Sequence, residues 1–253
     1  MGLLALVAVG SVSYNVVQHL RHADLSARLA EASRPPPPPS EKEVLRLFYE
    51  QWIPLQKPTV WQNQWLGVGT LQNPFDVWVT QEIFFEVRPD FVVETGTLRG
   101  GSAAVFSTIL EQINPDARVI SIDIEDMAGE AKKLPIVQKR VDFLLGSSTD
   151  PKIVNEVKAR VAGKKVVVIL DSLHTRDHVL AELEAYAPIV NVGSYLIVQD
   201  TFVNGHPAWL SYGPGPHEAV EAFLSKRNDF VVDKNRERLM FTFSVDGWLK
   251  RVK

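Results

Sequence analysis

The sequence contains no cysteine among its 253 residues. Disulfide frameworks, cysteine-ligated zinc sites and thiol nucleophiles are therefore excluded. The formal net charge is only −3, and no basic stripe with interleaved aromatic residues occurs, so we expect no nucleic-acid partner. The phosphate-binding glycine motifs GxGxxG and GxxxxGKS/T are also absent. The chain is long enough for one α/β domain with an appendage.

The N-terminal segment differs in composition from the rest of the chain. Residues 2–17 form an apolar run that is shorter than the roughly 20 residues of a membrane span. We expect an apolar or amphipathic helix over residues 1–34 and a stiff polyproline linker over residues 35–40. Three interpretations of the helix stay open: a membrane anchor, a helix that docks on a partner or on the chain itself, and a cleaved signal.

The position of the first basic residue predicts on which side of a membrane the main domain would lie. The first basic residue, Arg21, follows the apolar run, and an anchor with this order leaves the C-terminal body in the cytoplasm. The anchor interpretation thus predicts a cytoplasmic body tethered to the inner face of a membrane. Residues 2–30 would then bind a membrane or a membrane protein. We also expect the protein to be a homo-oligomer.

Residues 41–90 are predicted to form a helical and aromatic segment in front of the main domain. Ser40 and Glu43 form a capping-box pattern, which predicts a helix start. The stretch that follows is rich in tryptophan and phenylalanine. Two interpretations stay open for these aromatic residues: they cover a sheet, or some of them line or close a substrate cleft.

Residues 91–253 alternate between strand and helix patterns. The strand patterns are FVVE, RVISID, VDFLLG, KVVVILD and SYLIVQD, and amphipathic stretches lie between them. This alternation predicts a parallel sheet covered on both faces. Near the C-terminus, DFVVDK and RLMFTFSVDGWLK predict two strands joined by a short turn. The fold class is therefore α/β: a Rossmann-like doubly wound sheet of about seven strands, mostly parallel, with an antiparallel C-terminal hairpin.

Four acids stand at the predicted ends of four strands: Glu94, Asp123, Asp171 and Asp200. Because ligands of parallel sheets bind beyond the carboxyl ends of the strands, these acids predict an acidic rim around a binding site.

The glycine turn after the first strand predicts a cationic ligand. Glu94 precedes the turn and would repel a pyrophosphate, whereas the ammonium and sulfonium of S-adenosylmethionine suit a carboxylate. The cofactor's own carboxylate can bind the amides of the next helix, and Asp123 is placed to accept from the ribose hydroxyls. The candidate cofactor residues of the turn are Gly96, Thr97, Gly100 and Ser102. Ser147 and Ser148, after the third strand, are placed to reach the adenine.

The second pair of acids predicts a metal site. Asp171 and Asp200, with Thr201 beside them, offer the oxygen ligands that Mg²⁺ prefers. Such an ion would hold a substrate hydroxyl and lower its pKa. His174 follows Asp171 by three residues and is the candidate general base, with Asp171 as its catalytic neighbour. His206 and His178 are secondary candidates, and we expect a structural role for His178 within its helix.

Four elements of the sequence resemble the family named after cephalosporin hydroxylase, which also includes rhamnosyl O-methyltransferases of glycolipid synthesis. These elements are VVETGTLRGGSA, LDSLHTRDHV, VQDTFVNGHP and GPGPHEAVEAFL, and the resemblance covers roughly residues 60–253. It implies a Rossmann-like methyltransferase fold, S-adenosylmethionine binding and often a divalent metal. By position, it implies Glu94, Gly96 and Asp123 as cofactor residues and Asp171 and Asp200 as metal ligands.

The sequence departs from this family at one position of the metal site. The family tends to have an acid directly before the aspartate of strand five, where Gln199 stands here. The third metal ligand would then be Thr201 or water. Catechol O-methyltransferase resembles the chain more distantly, and its catalytic lysine falls three residues after a metal aspartate, at the position of His174.

The sequence thus favours an S-adenosylmethionine-dependent, Mg²⁺-assisted O-methyltransferase. Its acceptor would be a hydroxyl of a sugar, a glycolipid or a similar small-molecule or lipid-linked compound. A second hypothesis is an accessory subunit docked in a membrane complex, with a vestigial enzyme fold. A third is an oxygen-dependent hydroxylase with iron on His174, His206 and Asp171.

Overall fold

The structure, a computed structural model, describes His19, residues 21–52 and residues 63–253. The chain divides at Ser40 into two units, and the second unit comprises Glu41–Lys253. In the first unit, residues 21–32 are helical. Within the described part of the chain, no helix has the length and apolar character needed to cross a membrane. The apolar stretch 2–17, which carried the anchor hypothesis, lies outside the described residues.

The second unit alternates helices and strands. Its α-helices are α1 (Glu41–Trp52), α2 (Pro74–Val87), α3 (Gly101–Ile113), α4 (Pro135–Arg140), α5 (Pro151–Arg160), α6 (Arg176–Tyr186) and α7 (Pro216–Leu224). Its strands are β1 (Gln64–Trp65), β2 (Val68–Gly69), β3 (Phe91–Thr95), β4 (Arg118–Asp123), β5 (Val141–Leu145), β6 (Val166–Leu170), β7 (Tyr195–Val198), β8 (Phe230–Val232) and β9 (Trp248–Arg251). Short 3₁₀ turns lie at Ala131–Lys133, Ala187–Ile189 and Lys234–Glu237.

Seven strands form one sheet in the order β5-β4-β3-β6-β7-β9-β8, and β1 and β2 form a separate hairpin. Strands β3 to β7 are parallel, and β9 runs antiparallel to both β7 and β8. The predicted fold class is therefore confirmed. Because β3 lies between β4 and β6 and all three are parallel, their carboxyl ends meet at one edge of the sheet.

Both faces of the sheet are buried, which explains the near-continuous β-branched runs of the central strands. On β3, the side chain of Val92 belongs to the apolar cluster that includes residues of α2 and α3, whereas Val93 belongs to the cluster that includes residues of α5, α6 and α7. The same alternation divides Val167 from Val168 on β6. Each face therefore has its own apolar core, and the two faces together make a doubly wound domain.

Two helices begin directly after residues whose side chains cap them. Asn73 and Asp150 lie directly before α2 and α5, and each side chain accepts a hydrogen bond from the amide two residues later. In both helices a proline occupies the first turn, where its missing N–H costs no hydrogen bond.

The C-terminal hairpin forms the antiparallel edge of the sheet, but its connection differs from the prediction. Residues 233–247 separate β8 from β9, so the two strands are not joined by a short turn. The apolar residues of this connection face α1 and not the sheet: Phe241 contacts Phe48, and the Tyr49 hydroxyl donates to the carbonyl of Thr242. Strand β9 also lies inside the sheet, with Trp248 fully buried, and β8 forms the edge.

The hairpin β1–β2 packs against the glycine turn. A Cβ atom added at Gly101 would lie 2.3 Å from the carbonyl oxygen of Gly69 and 2.5 Å from the Cβ of Thr70. A Cβ atom added at Gly100, where φ is +77°, would lie 2.6 Å from the Cβ of Ala131. The two glycines of the GG motif therefore allow close packing between parts of the fold, and this packing does not involve a ligand.

We expect Gly101→Ala to destabilise the protein, because its new methyl group overlaps the Gly69 carbonyl, and overpacking of this kind costs about 1–3 kcal/mol. The measurement is the free energy of unfolding from denaturant titration. Gly129→Ala is the matched control, since a Cβ at Gly129 has no atom within 4 Å. Equal stability of the two variants would contradict the packing assigned to the GG motif.

Candidate active site

A cavity of about 700 Å³ opens at the carboxyl ends of the parallel strands. Most of the residues predicted for the site lie in its wall: Gly96, Thr97, Ser102, Asp123, Ser147, Ser148, Asp171, His174 and Asp200. Three predicted residues, Glu94, Gly100 and Thr201, do not line it. Its size is within the usual range of small-molecule sites.

Glu94 lies beneath the cavity and not in its wall. The side chain is fully buried, and the Ser121 hydroxyl donates to it at 2.6 Å across the parallel pair β3–β4. Thr97 in turn hydrogen-bonds Ser121 at 2.7 Å. Burial raises the pKa of Glu94 to about 7, and the hydroxyls of Ser102 and Ser121 offset part of this effect. Glu94 therefore lies one layer below the cavity wall, and the contact that we expected between its carboxylate and a ligand ammonium stays a prediction.

Asp123 occupies the position predicted for a ribose-binding acid. It ends β4, lines the cavity, and accepts a hydrogen bond from the amide of Leu98 in the glycine turn at 2.8 Å. Leu98 has φ of +45°, a left-handed conformation that is uncommon outside glycine. The contact fixes the turn against the end of β4, and the other carboxylate oxygen accepts from the amide of Glu125 at 3.2 Å.

Gly96 is required by the neighbouring strand. Its φ is +89°, and a Cβ atom there would lie 1.9 Å from the carbonyl oxygen of Asp171, the residue directly after β6. The amide of Asp171 also donates to the carbonyl of Thr95. The glycine therefore lets the cofactor turn and the acid after β6 approach each other closely.

Three side chains converge in the wall of the cavity: Asp171, His174 and Asp200. One ligand atom from each lies within 4.8 Å of the others, and the His174 Nε2 is 3.2 Å from the Asp200 Oδ2. Asp200 has φ of +55°, and a backbone of this kind costs roughly 1–3 kcal/mol and is typical of functional sites. Two carboxylates and one imidazole form a donor set that fits a divalent cation.

The electrostatics of this group favour a bound cation. Removal from bulk water raises the pKa of Asp171 well above its ordinary value, and the neighbouring charges of Asp200 and Glu94 add to the effect. Removal from water also raises the pKa of Asp200, which the nearby His174 partly offsets. Carboxylates held together at this cost gain most from a positive charge placed between them.

The third oxygen ligand predicted for the metal has a different partner. The Thr201 side chain is fully buried, and its hydroxyl donates to the carbonyl of Phe243 at 3.3 Å. Gln199, which follows β7, does line the cavity, and its amide donates to Gln72 at 3.4 Å. Gln72 donates in turn to the Asp171 Oδ2 at 3.0 Å. Sequence reasoning missed Gln72, because its contact with Asp171 joins positions that are 99 residues apart.

The aromatic lining of the cavity comes from the region after β7. Among the described residues, its aromatic side chains other than histidine are Phe202, Trp209, Tyr212 and Phe243. The described aromatic residues of the 41–90 segment pack elsewhere or are exposed, as Trp78 is on α2. The interpretation that they line or close the cleft is therefore wrong for the described part of that segment.

His206 lies apart from the three converging side chains. Its ring stacks on His217 with centroids 3.6 Å apart, and its Nε2 is 3.1 Å from Glu218. Both histidines line a second cavity, formed with α1 and the 237–246 connection. The iron site proposed from His174, His206 and Asp171 is therefore not assembled.

We expect the wild type to lose stability relative to Glu94→Gln as the pH rises from about 5 to about 8. The folded-state pKa of Glu94, about 7, exceeds its ordinary value of 4.5, so the native state holds this proton more tightly and its stability falls as the proton is lost. The difference approaches about 3 kcal/mol, at 1.36 kcal/mol per pKa unit. Denaturant unfolding of both proteins across this pH range measures it, and parallel curves would contradict the burial assigned to Glu94.

Comparisons with known proteins agree with this architecture. The model of the family "Rhamnosyl O-methyltransferase/CmcI" matches residues 58–252. The Rhamnosyl O-methyltransferase of Mycobacterium bovis (strain BCG / Pasteur 1173P2) is 38% identical over 200 residues, which cover 76% of this chain and 80% of the relative. The enzyme of the same name from Mycobacterium leprae (strain TN) is 36% identical, with 76% and 85% covered.

Among solved structures, a CmcI structure with Mg and SAM is similar to this chain at a TM-score of 0.61, with 20% identity and 87% and 88% of the two chains covered. This likeness supports the fold. The family match and the identity to the curated relatives go further: the chain belongs to the Rhamnosyl O-methyltransferase/CmcI family and is an S-adenosylmethionine-dependent O-methyltransferase.

Proposed function

We propose that the protein transfers a methyl group from S-adenosylmethionine to a hydroxyl of a sugar, a glycolipid or a similar acceptor, with the help of a divalent cation, Mg²⁺ by preference. The observation that carries the proposal is the convergence of Asp171, His174 and Asp200 within the cavity that also contains Asp123. A nucleoside bound at Asp123 and an acceptor oxygen bound at the three side chains would therefore share one enclosed space.

The polar side chains of the cavity suit both the cofactor and a cation that binds the acceptor. Asp123 and the serines after β5 lie along the wall that begins at the glycine turn, as a ribose and an adenine require. Asp171 and Asp200 would hold the cation. When bound, the cation supplies a positive charge that binds the acceptor hydroxyl and lowers its pKa. The neutral amide of Gln72 donates to the Asp171 carboxylate without adding negative charge, and Gln199 donates to Gln72 in turn.

His174 would accept the proton of the acceptor hydroxyl. Its Nε2 faces the Asp200 carboxylate at 3.2 Å, so a hydrogen on Nε2 leaves Nδ1 as the basic nitrogen. Methyl transfer is an in-line displacement, and holding the oxygen opposite the methyl carbon supplies much of the rate. A base at this place removes the proton while the oxygen attacks.

The acceptor side of the cavity supports a sugar. Trp209 and Tyr212 stack with their ring planes 21° apart, and Phe202 lies 5.4 Å from Trp209 between ring centroids. Aromatic faces of this kind suit the C–H faces of a sugar, while the polar edge at Asp171 and Asp200 suits its hydroxyls. The curated relatives named Rhamnosyl O-methyltransferase agree with this class of acceptor.

Two features of the proposal come from the sequence. One is a lipid-linked acceptor, which rests on the apolar residues 2–17, and the other is a membrane or membrane-protein partner of residues 2–30. A homo-oligomer also stays a prediction. The accessory-subunit alternative is disfavoured, because a purely structural body has no use for three converging donors in an open cavity.

We expect Asp171→Asn and His174→Ala each to lower turnover on the order of 10²–10⁴-fold while the affinity for S-adenosylhomocysteine is kept. Methyl transfer from labelled S-adenosylmethionine to a panel of sugar and glycolipid acceptors measures turnover, and calorimetry measures affinity. Asp177→Asn, with a side chain 90% exposed on α6, is the control.

Titration with Mg²⁺ distinguishes the roles of the two residues. Asp171→Asn should lose Mg²⁺ affinity, because it removes a ligand charge, whereas His174→Ala should keep it if the imidazole acts as the base. Loss of Mg²⁺ affinity in His174→Ala would make the histidine a metal ligand instead. Full turnover by both variants would contradict the proposed roles altogether.

We expect Trp209→Ala to raise the KM for the acceptor roughly 3- to 10-fold, since stacking on an aromatic face contributes about 0.5–1.5 kcal/mol. The affinity for S-adenosylhomocysteine should not change. Trp78→Ala is the matched control, because Trp78 is 60% exposed and outside the cavity. An unchanged KM in Trp209→Ala would place the acceptor elsewhere.

A further inference from the structure

His178, for which the sequence predicts a structural role within its helix, lines the cavity. It lies on the first turn of α6, and its ring lines the cavity beside Ser147 and Ser148. The side chain is 20% exposed. A role in supporting the helix does not require the ring to line the cavity beside Ser147 and Ser148.

One ring nitrogen of His178 is held firmly. Its Nε2 is 3.1 Å from the Ser172 hydroxyl, 3.2 Å from the Ser148 hydroxyl and 3.5 Å from the fully buried Glu182. Tyr186, one helical turn after Glu182, donates to the carbonyl of Ser148 at 2.7 Å. The loop after β5 and helix α6 therefore form one wall, with the imidazole fixed in the middle of it.

These contacts determine which nitrogen carries the hydrogen. The Ser172 hydroxyl donates its own hydrogen to Glu182 at 2.7 Å, so it can only accept from His178. The hydrogen of the neutral imidazole is therefore on Nε2. The Nδ1 atom forms no hydrogen bond to any residue of the described chain and is left as a lone-pair acceptor.

Adenine offers a matching donor. A ribose bound at Asp123 places the base toward Gly146, Ser147 and Ser148, because these residues follow β5, the strand next to β4. The exocyclic amine of adenine donates hydrogen bonds. Hypoxanthine carries a carbonyl oxygen at the same position. Its lone pair would repel the lone pair of Nδ1, because both atoms are acceptors.

We infer that His178 is a specificity-determining residue that accepts a hydrogen bond from the exocyclic amine of the cofactor's adenine, with Ser172, Ser148 and Glu182 fixing its tautomer. The inference rests on the proposed function, since it requires the cofactor in this cavity. His178 takes no part in the methyl transfer itself and acts by positioning the nucleoside.

The test compares the binding of S-adenosylhomocysteine and S-inosylhomocysteine by calorimetry at pH 8.5 and at pH 9.5, because the hydrogen bond to Glu182 raises the pKa of His178 and the inferred contact requires the neutral imidazole. The wild type should prefer the adenine ligand by roughly tenfold or more, the usual effect of one unmatched polar group. His178→Phe should lose about this factor for the adenine ligand and little for the inosine ligand. His178→Gln, which keeps an acceptor oxygen, should restore part of the preference.

Asp123→Asn is the control, because it should weaken both ligands equally through the ribose that they share. Equal affinities of the wild type for the two ligands would overturn the inference without the need for any variant. Equal losses of both ligands in His178→Phe would also overturn it, and the proposed function would stand. If the wild type bound neither ligand, the proposed cofactor site would fail together with the inference.

Discussion

The site depends on one constraint: parallel strands bring their carboxyl ends to the same edge of the sheet, and here four of those ends carry acids. Glu94 and Asp171, at the ends of neighbouring strands, both have raised pKa values, because burial and like charge make ionisation costly. Such a cluster is stable in its charged form only with positive charge beside it. In the proposed function, a sulfonium nucleoside and a divalent cation would supply that charge.

The close approach of the two halves of the site follows from the same edge. Gly96 must be glycine because the carbonyl of Asp171 occupies the space of a side chain. The cofactor turn and the metal acid are therefore parts of one packed unit. Asp200 takes a left-handed backbone at the end of the next strand, and this conformation is accompanied by the 3.2 Å approach of its carboxylate to His174.

The fold was predictable from the sequence because strand and helix patterns alternate strongly and each central strand ends in an acid. The same pattern placed Asp123, Asp171, His174 and Asp200 correctly in one cavity. What sequence could not give was side-chain direction at single positions: Glu94 points to Ser121 below the cavity, and Thr201 points to the Phe243 carbonyl. These directions are set by residues 27 and 42 positions away, which no local pattern records. The contact of His178 with Ser148, 30 residues earlier, is likewise absent from the local pattern.

The most direct test of the account is calorimetric titration of the purified protein with S-adenosylmethionine and, separately, with a nicotinamide dinucleotide of similar size. An acidic cavity without a phosphate-binding glycine motif predicts saturable binding of the sulfonium nucleoside and none of the pyrophosphate compound. Binding of the dinucleotide in the absence of any S-adenosylmethionine binding would contradict the charge complementarity on which the site is built.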